Sequence, residues 1–192
     1  MKRIEKIVKD LENKNAQRPT TLTFSNEQIS KIIETDSISE FQRYLSQTNL
    51  SIDSKIKLNS DVLYILPSTE PSLIEYSMFF NSIEIFKFLM LNNAKIDNSI
   101  SPCFAIAGGS YDIIHILEKQ NLGHVNSSLF LNTAIRFHRN KIANYLADTF
   151  AISFDFEALT FSIRYNNYDA FVKSVPSLKE NPNERGSEQE TV

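Results

Sequence analysis

The chain has 192 residues, 42% of them hydrophobic, and a net charge of −3, which suits one domain able to bury roughly 70% of its unfolded surface. Fourteen Phe and seven Tyr stand beside only four Gly and no Trp, pointing to a helix-rich interior filled by rings and away from a Gly-punctuated β fold. The single Cys103 excludes an internal disulfide framework, no stretch has the length and apolarity of a membrane span, and the dispersed basic residues argue against a nucleic-acid stripe.

Residues 1–18 place Ile4, Ile7, Val8 and Leu11 at helical spacing and carry six Lys or Arg against three acidic residues. That predicts an amphipathic N-terminal helix docking on its own chain, with a solvated basic face rather than a secretion signal. Pro19 ends it. Ser25 with Gln28, and Ser37 with Glu40, then read as two capping boxes, predicting two helices within residues 25–47 joined by a tight turn. Residues 25–68 are therefore expected to form a degenerate N-terminal helical unit followed by an insertion, with a further helix around Ile56 to Leu66. Pro67 and Pro71 punctuate the entry to the next segment.

From residue 69 to 176 the chain repeats itself. The hexamers EIFKFL, DIIHIL, KIANYL and DAFVKS end at Leu89, Leu117, Leu146 and Ser174, which stand 28 or 29 residues apart, and EFQRYL at 40–45 is an earlier relative of them. Each hexamer opens a second helix preceded by a polar or Gly-containing turn (Asn81-Ser82, Gly108-Gly109-Ser110, His138-Arg139-Asn140, Asn166-Asn167) and by a shorter first helix. One such pair cannot cover its own apolar faces, so its neighbours must, and a fixed period of this size predicts a stack of helical hairpins. Lys173 and Ser174 make the last unit more polar, as suits the end of a stack. Residues 177–192, with four Glu and one apolar residue before Val192, read as a disordered acidic tail. Its last residues, Glu190-Thr191-Val192, only loosely resemble a recognition peptide.

The stretch SLIEYSMFFNSIEIFKFLMLNNAKID at 72–97, with its turn and NNAKID loop, resembles the ankyrin pattern, and AIAGGSYDIIHILEKQNL at 105–122 repeats it with Gly109 at the turn. More narrowly, residues 72–176 resemble a divergent ankyrin-repeat domain family of uncharacterised function, abundant in parasitic single-celled eukaryotes. The resemblance implies an all-α, ankyrin-like solenoid of stacked helix-turn-helix repeats. The chain departs from the family in lacking Thr-Pro-Leu-His at the start of the first helix and in its short period, so short loops are expected in place of β-hairpin fingers.

Chemistry finds little support. His115, His124 and His138 are read as having no carboxylate or Cys at ligand spacing, Cys103 as a buried structural thiol without a visible base, and Gly108-Gly109 as a tight turn rather than a phosphate loop. No catalytic residue, metal, cofactor, small-molecule substrate, nucleic acid or membrane is expected. The resemblance instead carries over a partner-facing groove made by the two residues before each first turn: Phe79 and Phe80, Ala107 and Gly108, Arg136 and Phe137, Arg164 and Tyr165. Aromatic and Arg side chains are the types enriched at binding hot spots, so the groove would be apolar at one end and cationic at the other and would suit an acidic segment of a protein partner. Against this stands the reading in which Phe80, Phe137 and Tyr165 turn inward as core. The expected function is protein–protein interaction in the cytoplasm. The alternative is a small enzyme or enzyme inhibitor on a helical scaffold, which would show three or more titratable groups converging in a concave pocket; ranked below it is a nucleic-acid-binding regulator, whose binding would depend steeply on salt.

Overall fold

The computed structural model of the chain describes residues 26–56, 67, 70–120 and 127–177. Among these there are ten α-helices and no strand beyond an isolated bridge between Lys55 and Ser72. The helices are α1 (Asn26–Glu34), α2 (Ile38–Thr48), α3 (Leu73–Phe79), α4 (Ile83–Leu91), α5 (Ser101–Gly108), α6 (Tyr111–Lys119), α7 (Ser127–Arg136), α8 (Asn140–Phe150), α9 (Phe156–Arg164) and α10 (Tyr168–Ser174). They pair as five hairpins. Residues 57–66 of the helix expected around Ile56 to Leu66, Ser25 of the first expected capping box, the N-terminal segment 1–18 and all of the tail but Ser177 lie outside the described residues, while Ile56 itself is buried and non-helical, its N–H bonded to the Pro71 carbonyl at 2.8 Å. None of the described helices is long and apolar enough to cross a membrane.

One turn geometry serves all five hairpins. A residue in the left-handed region ends each first helix: Asp36, Asn81, Gly109, His138 and Asn166, with φ of 49°, 57°, 85°, 55° and 54°. Gly pays no steric penalty there, and Asn, Asp and His are the side chains best tolerated. The next residue's N–H then returns to the carbonyl five positions back, Ser37 to Ile32, Ser82 to Ser77, Ser110 to Ala105, Arg139 to Ala134 and Asn167 to Ser162. This closes the frayed helix end in the Schellman manner. Hairpin one, at 26–48, thus has the same construction as the later four.

Capping differs from the sequence expectation in two places. Ser37 makes no side-chain cap to α2, so the box expected with Glu40 does not form. Instead the neighbouring Asp36 carboxylate accepts from the Glu84 and Ile85 N–H groups at 3.1 and 3.0 Å, capping α4 of the next hairpin. A full capping box does form where none was expected, between Ser72 and Glu75 at the start of α3. Glu75 also accepts from Ser101 of α5 at 2.8 Å.

The first helices pack in one row, α1 on α3, α3 on α5, α5 on α7 and α7 on α9. Of the second helices, α2 and α4 pack closely while the later ones lie further apart. Small side chains explain the close row: Ser77, Ala105, Ala107, Ala134, Ala158 and Ser162 are all buried. Gly108 goes furthest. A Cβ built there would stand 2.4 Å from the Phe79 carbonyl oxygen, a distance no real Cβ reaches. Between the helices Phe41, Phe86, Phe104 and Phe130 are fully buried, each contributing about 2–3 kcal/mol by burial. Polar stitches then fix the register of neighbouring hairpins. Ser82 donates to the Ile33 carbonyl, Arg139 Nε to that of Ala107 at 2.8 Å and Asn167 Nδ2 to that of Ile135 at 2.8 Å.

Candidate functional site

The C-terminal ends of α3, α5, α7 and α9 lie side by side because their helices do, and each ends on the pair of residues named from the sequence. Phe79 and Phe80 meet edge to face with ring centroids 5.2 Å apart, and Tyr76 backs Phe80 at 4.6 Å. Phe79 then reaches Phe137, two hairpins away, at 6.1 Å. It can do so because the intervening hairpin presents Ala107 and Gly108, which have almost no side chain. Arg136 carries the band onward, its guanidinium carbon 5.1 Å from the Phe137 ring centre and 5.5 Å from that of Tyr165. Tyr165 rests near Phe161 at 5.8 Å, and Arg164 lies over Phe161 at 5.8 Å. Three of the five hairpins thus contribute rings and guanidinium groups to one strip, and hairpin three leaves the room through which it passes.

All six expected residues belong to that strip, and none is fully buried. Phe79, Phe80, Arg136, Phe137 and Tyr165 are partly exposed and Arg164 is exposed. The inward reading of Phe80, Phe137 and Tyr165 is therefore only half met: these rings stack along the row and keep an outer edge in water. Each arginine–ring contact contributes about 0.5–1 kcal/mol, and a guanidinium is the side-chain group whose geometry matches carboxylates. The exposed His138 accompanies this end, its Nε2 lying 2.9 Å from the Tyr165 carbonyl oxygen. Arg139 does not add to a basic stripe, since its Nε is spent on the Ala107 carbonyl.

A second cluster, which the sequence did not reveal, lies on the second helices. His115 and Glu118 stand one turn apart on α6, with Nδ1 3.0 Å from Oε2, so a carboxylate does sit at helical pairing distance from a histidine. Tyr145 of α8 donates to the same Glu118 oxygen at 2.9 Å, and its hydroxyl lies 3.4 Å from His115 Nδ1. Tyr111 completes the group, 6.1 Å from the Tyr145 ring. Burial, together with Glu118, pushes the Tyr145 phenol above its usual value. The other Glu118 oxygen, Oε1, is buried with no hydrogen-bond partner, an arrangement costing about 1–3 kcal/mol. His115 and Glu118 border an open groove of about 670 Å³ that also touches Lys87, Asp112 and Lys119.

Cys103 is buried at the start of α5, and that burial raises its thiol above the ordinary range. Among the described residues no three His, Cys, Asp or Glu side chains converge as a metal site.

A protein-family model described as a domain of unknown function (DUF3447) matches residues 93–174, which take in the last three hairpins. No curated protein and no solved structure matches the chain.

Proposed function

We propose that the chain is a non-enzymatic protein-interaction module, an ankyrin-like solenoid that holds a partner in the concave groove along its first helices. The observation that carries this is the continuous strip from Phe80 to Arg164. Rings and guanidinium groups drawn from separate hairpins share one exposed face, and such side chains dominate binding energy where they cluster. Closer packing of the first helices than of the second supports a groove on that side. The identical turns of all five hairpins support a repeat architecture, and the described loops are too short for projecting fingers. The partner is a protein with an acidic segment, met in the cytoplasm: apolar burial against Phe79, Phe80 and Phe137 supplies affinity, and Arg136 with Arg164 supplies orientation.

The test is the double variant R136E/R164E. Capture of the partner by the immobilised protein should be lost, while loss of the arginine–ring contacts should lower the melting temperature by no more than about 5 °C. Undiminished capture, or a collapse of stability, would mean that the arginines serve the fold alone.

An enzyme reading draws on the His115, Glu118 and Tyr145 cluster, where three titratable groups meet beside a groove. A shared hydrogen-bond acceptor and stacked rings also serve simply to join α6 to α8. H115A and Y145F test it: unchanged partner capture with altered melting fits a structural joint, and loss of a turnover with intact folding fits the enzyme.

A further inference from the structure

The strip carries its positive charge at one end, and that end lies in the hairpin from which the last segment of the chain departs. Arg164 closes α9 and is exposed. Arg136, one hairpin earlier, places its guanidinium carbon 5.5 Å from the Tyr165 ring centre. The exposed His138 accompanies them, with Nε2 2.9 Å from the Tyr165 carbonyl oxygen. Both arginines are already engaged, Arg136 with the Phe137 and Tyr165 rings and Arg164 with Phe161. A ring contact leaves the charge of a guanidinium in place, so this end of the strip attracts anions without needing an unused donor on either residue.

Residues 178–192 carry the complementary charge. They hold Glu180, Glu184, Glu188 and Glu190 against Lys179 and Arg185, and beyond Arg185 every charged side chain is negative. The fold fixes where this segment starts. α10 runs back from the turn at Asn167, and Ser177, ten residues on, stands about 15 Å from that turn at a helical rise of ~1.5 Å per residue. Fifteen further residues reach at most about 50 Å at ~3.3 Å each. Even at about half that extension Glu188 and Glu190 return as far as Arg164 and Arg136. The other end of the chain has the wrong sign, since residues 1–18 carry six basic residues against three acidic. We infer that the acidic segment 178–192 lies back on the cationic end of the strip through Glu188 and Glu190, so that the groove is held by the chain's own tail until a partner displaces it. Exposed ion pairs are individually weak, but a short tether supplies its ligand at an effective concentration of millimolar order. The regulatory consequence rests on the strip being the partner site; the contact itself does not.

The contact is read in the full chain with no partner present. A photo-reactive phenylalanine analogue at Tyr165, irradiated in dilute solution, should join that position to residues 178–192 in a product of monomer mass. E188Q/E190Q should lower the yield about fivefold, as loss of two exposed ion pairs predicts. Hydroxyl-radical footprinting leaves the groove unaltered: Phe137 and Tyr165 should oxidise faster in E188Q/E190Q than in the wild type, and the difference should vanish as salt rises from about 0.05 to about 0.5 M. Absence of an adduct to 178–192, an adduct to residues 1–18 or to a second chain, or equal oxidation of the two proteins at low salt would overturn the inference. Partner capture that survives R136E/R164E would overturn the groove reading instead, and would leave the intramolecular cross-link standing.

Discussion

Replacing Gly108 by Ala sets two physical effects against each other with a calculable winner. In a helix interior Ala is favoured over Gly by about 1 kcal/mol, so an isolated α5 would gain. In the stack, the added Cβ would lie 2.4 Å from the Phe79 oxygen, 2.7 Å from the Met78 oxygen and 2.9 Å from the Phe79 carbonyl carbon. All three are backbone atoms, so no side chain can swing aside and α5 must back away from α3. Overpacking of this kind costs about 1–3 kcal/mol and sometimes more, and here the shift would also open contacts on either side of α5. A net loss of about 2 kcal/mol, at about 2–4 °C per kcal/mol for a chain of this size, lowers the melting temperature by about 4–8 °C. Thermal unfolding followed by far-UV circular dichroism measures it, with G109A as the comparison. Gly109 has φ of 85°, and the atoms nearest a Cβ there belong to the Arg139 side chain, at 3.1 Å, so its cost is that of the left-handed backbone, about 1–2 kcal/mol, plus whatever displacing Arg139 from the Ala107 carbonyl adds. A G108A protein that melts at or above the wild-type temperature would refute the close approach of hairpins two and three.

Asn167→Ala removes an amide that donates to the Ile135 carbonyl and to Asn140 and caps Ala170; chemical denaturation should show a loss of about 2–3 kcal/mol. Asp36→Ala uncaps α4 from the neighbouring hairpin and should cost about 1 kcal/mol by the same assay. Cys103 should react with a thiol reagent only on unfolding, because it is buried and its thiol is raised; rapid labelling of the native chain would contradict its placement. The raised Cys103 thiol and the Tyr76 phenol, lifted by burial and then by Glu34, both keep their protons longer in the folded chain than in the unfolded one. Stability from these groups is therefore present below their ordinary values of 9.0 and 10.0 and declines as the pH climbs past them, so the urea midpoint should drop between about pH 8 and pH 10.5 and not between about pH 7 and pH 8.

The recurrence of the hexamers made the second helices legible, since a buried stripe such as Ile113, Ile114 and Leu117 has to repeat wherever a hairpin repeats. The later turn residues were legible for the same reason: few side chains other than those of Asn, Asp, His or Gly accept the left-handed backbone at 81, 109, 138 and 166, whereas Asp36 was passed over in favour of Ser37. EFQRYL marked the first hairpin even though 16 extra residues separate it from the second. Interactions between hairpins were not legible. That the Asp36 side chain caps α4 of the next hairpin, or that Glu118 joins His115 to Tyr145, depends on which side chains meet across a gap of 27 to 49 residues. The Phe79–Phe137 contact was hidden in another way, because it arises from what Gly108 lacks. The six groove residues were named by analogy with repeat register, and their partial exposure depended on how closely the row packs.

A photo-reactive phenylalanine analogue placed alternately at Phe137, within the strip of rings, and at Lys87, on the second-helix side, would locate the bound partner directly. With partner present and light applied, the account predicts an adduct from position 137 that disappears in the R136E/R164E background, and none from position 87. An adduct formed at 87 and absent at 137 would contradict it.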